Sequence, residues 1–299
     1  MIHPQLCLGT AQFGINYGIT NSKGKLKEFD AHKILDLFIS KSHKFIDTAS
    51  AYGNAESVLG KYNSINSFKL ISKITYIEEW NYLKDPFDFW DKLFFQTLNN
   101  LRIKSIYSYL IHNPVEAFQN SGDLFLSWME SLVDRKLVKR IGASIYDIEE
   151  INQIPIEKFS VIQIPLSIYD QRLLKNGGIK KLQEKKIKIH IRSIFLQGLI
   201  LLDPQKWPFR INPEFRKHHS NFYLYLKDRN TSLLESSLEF AYRIKDIEAI
   251  TFGITELDEL EQILKIWERL KLYESKLDFK DWDWNNKNDI DPRCWKKLT

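Results

Sequence analysis

Eight short runs rich in apolar residues, spaced along most of the chain and separated by segments of helical periodicity, leave few ways to fold. They are Leu6–Gly9, Lys44–Thr48, Lys69–Lys73, Ile106–His112, Val138–Ser144, Val161–Pro165, Ile187–Ile194 and Ala249–Gly253. Each reads as a buried strand, and strands that alternate with helices imply a parallel sheet. Eight such units are the number that closes an α/β (β/α)8 TIM barrel, and 299 residues suit one such barrel with insertions. The last helix is the clearest. Leu257, Leu260, Ile263, Leu264, Trp267 and Leu270 advance by three or four residues and form one apolar stripe, and Thr255 with Asp258 reads as a capping box at its start.

Two segments interrupt the alternation. Leu202 to Asn230 carries three prolines together with Trp207, Phe209, Phe215, His218, His219, Phe222 and Tyr223, so we expect a long aromatic loop after strand 7, serving as a lid or substrate loop. The tail beyond Tyr273 holds Trp282, Trp284 and Trp295 amid charges. The chain therefore divides into a barrel over residues 1–272 and an arm over 273–299, packed on the barrel or at an oligomer contact; the sequence leaves the oligomeric state open.

The charge surplus of +5 is spread along the chain with no basic stripe, which argues against a nucleic-acid partner. Cys7 and Cys294 lie near opposite ends, without metal-type spacing or a disulfide framework, and a reducing cytoplasmic compartment is expected. No run is long and apolar enough to span a membrane, the N-terminus has no secretory pattern, and no metal site is expected.

Three strand runs end on or beside ionisable groups: Asp47 in Phe-Ile-Asp-Thr-Ala, Lys73 closing Lys-Leu-Ile-Ser-Lys, and His112 in Tyr-Leu-Ile-His-Asn-Pro. Strand C-termini are where barrels keep their chemistry. Tyr52 follows Asp47 by five residues. A carbonyl accepts hydride more readily when its oxygen is protonated as the hydride arrives, and a tyrosine can be that donor if an ammonium lowers its pKa. Lys73 is the candidate ammonium, Asp47 its anchor, and His112 a second hydrogen bond to the substrate oxygen. Taken singly, Asp47 could cap a turn, Tyr52 could pack, Lys73 could reach solvent and His112 could be structural.

With all four in this order, the chain resembles the aldo-keto reductases, nicotinamide-dependent oxidoreductases on a (β/α)8 barrel, from Leu8 through the helix after Gly253. The resemblance implies a catalytic tetrad of Asp47, Tyr52, Lys73 and His112, with Tyr52 as general acid. It further implies a cofactor site built from Gly9 and Thr10, from Ser144 and Gln163 at the carboxamide, from Arg192, Ser193, Phe195, Gln197 and Gly198 along the ring and pyrophosphate, and from Gly253, Thr255 and Glu259 at the adenosine end. Arg192 stands where the family usually stacks an aromatic ring on the nicotinamide.

The family's usual cation for a 2′-phosphate is missing from Gly253-Ile-Thr-Glu-Leu-Asp-Glu, and Glu256, Asp258 and Glu259 would repel one. The resemblance thus implies NADP(H) or NAD(H), the choice left open, with the acidic stretch motivating NAD(H) as a hypothesis. Strings at Ile164–Arg172 and Arg192–Gly198 are similar to a bacterial branch often encoded among surface-polysaccharide genes. With Trp80, Trp207, Arg210, Arg216, His218 and His219 in the loops, they imply a sugar-like carbonyl substrate, nucleotide-linked in one version. A cofactor-binding barrel acting as sensor or partner subunit, or an unrelated barrel lyase or isomerase, are the rival readings.

Overall fold

Alternating strand and helix segments give each strand a crossover that returns it parallel to its predecessor, and the accumulated twist of eight strands brings the last beside the first. The computed structural model describes residues 3–76, 80, 82–120, 122–208, 211–272 and 277–295. In it β1 (Gln5–Gly9), β2 (Phe45–Asp47), β3 (Lys69–Ile74), β4 (Ile106–Ile111), β5 (Val138–Ser144), β6 (Val161–Pro165), β7 (Lys188–Arg192) and β8 (Ala249–Phe252) close in sequence order. β8 pairs with β1 in parallel, Leu6 opposite Ile250 and Leu8 opposite Phe252.

Side chains alternate between the barrel interior and the surrounding helices, so two apolar clusters form. A small one inside the barrel holds Cys7, Phe45, Ile71, Leu110, Val161 and Ala249. A large one lies between strands and helices, with Trp90, Trp128 and Trp267 among its fully buried members. The expected stripe helix spans Leu257–Leu270, and Leu260, Ile263, Leu264, Trp267 and Leu270 are all buried.

The long aromatic segment is mostly not a loop. Asn212 accepts from Glu214 N and Pro213 sits at the first turn, which starts a helix over Pro213–Lys227. Phe215, His219 and Phe222 face inward from it, and Trp207 stacks on His219 at 4.3 Å. The C-terminal segment packs on this surface: Phe215 stacks on Trp284, Phe222 meets Trp282, and Trp284 N donates to Tyr169 O. The aromatic residues that suggested a lid thus form a hydrophobic seam with the tail. Phe209, Arg210 and Tyr273 lie outside the described residues.

Candidate active site

A cavity of about 690 Å³ opens at the C-terminal ends of the strands. It extends from Asp47, Tyr52 and His112 to Thr255, Glu259 and Ile263 at the start of the Leu257–Leu270 helix. Strand register assembles its floor: Gly9 lies opposite Asp47, and Ser144 opposite Gln163.

Lys73 is 1 % exposed and Asp47 3 %, so neither charge can rely on water. Lys73 Nζ donates to Asp47 Oδ1 at 2.5 Å and to the Thr48 carbonyl at 3.0 Å. The other carboxylate oxygen accepts from Gln163 Nε2 at 2.7 Å. Gln163, expected on the carboxamide, here orients Asp47, while its carbonyl oxygen accepts from Ser144 Oγ at 3.4 Å. Ser144 Oγ in turn accepts from Arg192 Nε at 3.2 Å. One hydrogen-bonded chain therefore crosses the floor from Arg192 through Ser144, Gln163 and Asp47 to Lys73.

Tyr52 is half-buried, with the Lys73 ammonium 5.3 Å from its ring centroid and His112 edge-on at 6.0 Å. Burial and the nearby Asp47 carboxylate hold its phenol above the ordinary tyrosine value, and Arg192 pulls it down in part. This corrects the expectation that Lys73 lowers it: the ammonium is hydrogen-bonded to Asp47 and Thr48, which offsets its charge at the phenol. Burial, followed by Lys73 and Arg192, depresses the His112 pKa to about 3. His112 is accordingly neutral near pH 7, and its Nδ1 meets Thr75 Oγ1 at 3.4 Å.

Of the sixteen predicted site residues, all but Ser144 and Lys73 line the cavity; these two stand behind it as supports. Gly9, Thr10, Phe195, Gly253 and Thr255 are among the liners. The segment after β7 is bent to follow the wall: Ser193, Leu196 and Gln197 have φ of 62°, 49° and 53°, and Gly198 has φ 90°. A Cβ on Gly198 would lie 2.1 Å from Thr20 Oγ1, so only glycine lets the β1 loop approach here. The capping box is also revised. Glu259, one residue beyond the expected Asp258, accepts from both the amide and the hydroxyl of Thr255.

Sequence reasoning missed Tyr17, Tyr146, Lys23 and Arg293. Tyr17 and Tyr146 line the cavity. The Tyr146 ring lies 4.1 Å from the Arg192 guanidinium and 3.5 Å from that of Arg293, which comes from the C-terminal segment. Arg293 is bound to Asp291 and to Glu150. Lys23 pairs with Glu256, the residue just before the Leu257–Leu270 helix. Tyr146 stands two residues past Ser144 and was within reach of a motif reading; the others arrive from distant sequence. By contrast, His219 is buried between Tyr169 Oη and the Leu202 carbonyl, Arg216 holds the Pro208 carbonyl, and Trp80 packs on Tyr76 and Phe125. These side chains do not reach the cavity.

The cavity's volume of about 690 Å³ is in the range of small-molecule and cofactor sites, and one of its walls is the glycine-bearing segment after β7. Among the described residues no helix is long and apolar enough to cross a membrane, and no cluster of three metal-ligating side chains occurs. A search of curated proteins finds no match. Among solved structures, the chain is similar to the aldo-keto reductase AKR11C1 from Bacillus halodurans in its holo form, at 17 % identity and TM-score 0.67, covering 93 % of this chain and 89 % of that one. It is also similar to the thermostable aldo-keto reductase Tm1743 in complex with the inhibitor epalrestat, at 20 % identity and TM-score 0.64, covering 91 % and 92 %. The Pseudomonas aeruginosa protein PA4992, assigned to the same family, gives 16 % identity and TM-score 0.66 over 91 % and 92 %. At these identities the likeness is one of fold. Membership rests on the sequence model of the Aldo/keto reductase family, which matches residues 5–283: the chain belongs to that family.

Proposed function

We propose that this protein reduces a carbonyl compound with a nicotinamide cofactor, with Tyr52 as the proton donor. The observation that carries the reading is the buried Lys73–Asp47 pair, set beside Tyr52 and His112 at one end of a cavity of about 690 Å³. When bound, the nicotinamide supplies a hydride to the carbonyl carbon. The residues Gly9, Thr10, Ser193, Phe195, Gln197, Gly198, Gly253, Thr255 and Glu259 would hold the cofactor along the cavity, with Ser144 and Gln163 close to the reacting end.

Tyr52, protonated at neutral pH, donates to the carbonyl oxygen as negative charge develops there. His112, neutral, offers a ring nitrogen hydrogen bond that orients the same oxygen. Lys73 lies beside the Tyr52 ring and pairs the Asp47 carboxylate that would otherwise oppose a phenolate there, while Gln163 holds that carboxylate from its other oxygen.

NAD(H) is the favoured nucleotide. Lys23 brings a cation to the adenosine end, but Glu256 neutralises it, and Asp258 and Glu259 add negative charge where a 2′-phosphate would sit. The substrate we favour is a keto or aldehyde sugar, nucleotide-linked in one version; the aromatic faces of Tyr17 and Tyr146 beside polar Gln12 and Asn21 support a polyol. Buried Cys7 and exposed Cys294 are both free thiols, which suits work in the cytoplasm.

The test is loss of reduced-nicotinamide absorbance with a panel of aldehydes and nucleotide sugars, for the wild type and Tyr52→Phe. We expect near-complete loss of turnover in the variant with cofactor binding, followed by fluorescence, retained. Equal turnover in both refutes the role of Tyr52. Cofactor binding without turnover on any carbonyl would instead favour the sensor reading.

A further inference from the structure

The turns that lead from each helix into the next strand lie at the N-terminal ends of the strands, the end of the barrel opposite the cavity. In sequence they are far apart, and each brings only one or two cations. In the fold they share one face. Turns 41–44, 102–105, 135–137, 185–187 and 244–248 carry nine Lys and Arg against two carboxylates, Asp246 and Glu248. Lys69, Lys139, Arg140 and Lys188, at the starts of β3, β5 and β7, add four more cations to the same end. The surplus on this face exceeds the +5 of the whole chain, so the remainder of the protein is net negative. A charge excess that is diffuse along the chain is therefore polarised in three dimensions.

Few of these cations are answered. Arg135 is paired by Asp91 and Arg140 by Glu248. The other eleven have no ion-pair partner among the described residues, and all but Lys69 are exposed. Three cations crowd one ring: Lys69, Lys139 and Arg140 lie 5.2, 5.3 and 4.9 Å from the centroid of Tyr107, and the carboxylate beside them, Glu248, is shared with His190. Self-repulsion of this kind costs stability, and an anionic partner relieves it.

The character of the face selects the partner. None of the five cation-bearing turns exceeds five residues, so they give the face low relief and offer no helix or ribbon to enter a nucleic-acid groove. Phe45, Phe68 and Phe159 are buried beneath it and Tyr107 is already flanked by cations, which leaves no free ring here for stacking bases. Of the eleven unanswered cations all but Arg102 are lysines, point charges on flexible stems that suit a spread of mobile headgroups better than one bidentate site. We propose that this face docks the protein peripherally on an anionic lipid bilayer, with the cavity mouth turned toward the aqueous side. The inference stands apart from the carbonyl-reductase reading, since it uses the opposite end of the barrel.

Co-sedimentation of the full chain with vesicles tests it, comparing phosphatidylcholine alone with phosphatidylcholine mixed with phosphatidylglycerol. The wild type should bind only the mixed vesicles, more tightly as the anionic fraction rises, and should be released in about 1 M sodium chloride, where the screening length shrinks to roughly 3 Å. A lysine beside such a surface contributes roughly fivefold to partitioning, so the triple variant Lys44→Glu/Lys139→Glu/Lys188→Glu should bind about a hundredfold more weakly or worse. The same three positions changed to Gln should give a smaller loss. Lys84→Glu/Lys206→Glu/Lys217→Glu, which makes the same change in net charge on the segments after β3 and β7, should bind like the wild type. A thermal melt establishes that each variant is folded, and the salt and lipid dependence of the wild type needs no variant at all.

Equal binding to both kinds of vesicle, or none to the mixed vesicles at low salt, overturns the proposal. So does an equal loss in the two Glu triples, which would mean that net charge and not this face governs binding. Retention on duplex DNA or polyglutamate that exceeds retention on the mixed vesicles, and that the Lys44, Lys139 and Lys188 reversal abolishes, would assign the face to a different polyanion and overturn the choice of lipid.

Discussion

Breaking the Lys73–Asp47 pair from one side should cost far more than removing both charges. Both side chains are almost wholly buried, with the ammonium 2.5 Å from the carboxylate. Lys73→Met leaves Asp47 with only the Gln163 amide, and an uncompensated buried charge of this kind costs about 3–5 kcal/mol. At roughly 2–4 °C per kcal/mol for a domain of this size, the melting temperature should fall by about 10 °C. Asp47→Leu alone strands the ammonium with only the Thr48 carbonyl and should cost a similar amount. The double variant Asp47→Leu/Lys73→Met contains no stranded charge. It should lie within ~1–2 kcal/mol of the wild type, the residual loss reflecting the Gln163 amide and Thr48 carbonyl deprived of partners. Urea titrations followed by circular dichroism give all three values, and the double-mutant cycle gives the coupling. The double variant should also lose activity while stable, since the hydrogen-bonded floor that Lys73, Asp47 and Gln163 build beside Tyr52 is gone. Additive single losses, with coupling below about 0.5 kcal/mol, would refute the argument that these charges depend on each other.

Stability should fall as the medium is acidified from pH ~6.5 toward 4. Burial depresses the pKa values of His43 and His219 to about 4, so each is neutral in the folded state while its unfolded counterpart takes up a proton. A depressed pKa means the contribution is present above the unfolded value and disappears as pH drops to the folded one. His43→Leu, which also removes a buried ring nitrogen without a partner, should flatten that pH slope by up to ~2–3 kcal/mol; an unchanged slope in urea midpoints contradicts it. Steady-state kinetics should give a higher kcat/KM with NADH than with NADPH, and Glu256→Arg, which leaves Lys23 unpaired beside a second cation, should move the ratio toward NADPH by about tenfold. A wild type that strongly prefers NADPH would show that Lys23 leaves Glu256 for the phosphate. Arg293→Ala should loosen the C-terminal segment through loss of Asp291, Glu150 and Tyr146 at once, read as faster tryptic cleavage near Lys287; equal cleavage rates would mean the aromatic seam holds the segment alone.

The barrel was legible because its signal is local. Each strand is a short apolar run, and all eight runs map onto the observed strands within a few residues, as does the Leu257–Leu270 stripe. The placement of Asp47, Lys73, His112 and Tyr52 was legible for the same reason, since the first three stand at strand ends and Tyr52 in the loop after β2. What failed depends on distance along the chain. Pro213 and its neighbours read as loop punctuation, but Pro213 occupies the first turn of a helix whose aromatic face is buried by Trp282 and Trp284, about sixty residues on. Once those rings pack against one another they are unavailable to a substrate, however suitable their chemistry. Lys23 and Arg293 likewise gain their roles from partners in Glu256, Asp291 and Glu150, and Lys23–Glu256 and Arg293–Glu150 join segments that no periodicity connects.

The electrostatics of Tyr52 follow from the same pairing. A lysine near a phenol lowers its pKa only to the extent that its charge is not already balanced, and here Asp47 balances Lys73 almost at contact. The pair is close to a dipole from the position of the Tyr52 ring, and burial together with Asp47 outweighs it, so the phenol keeps its proton. For a general acid that is the required resting state, with the cost of the phenolate met only as the carbonyl oxygen takes the proton. Arg192 is the cation that does lower the Tyr52 value, because no carboxylate answers it.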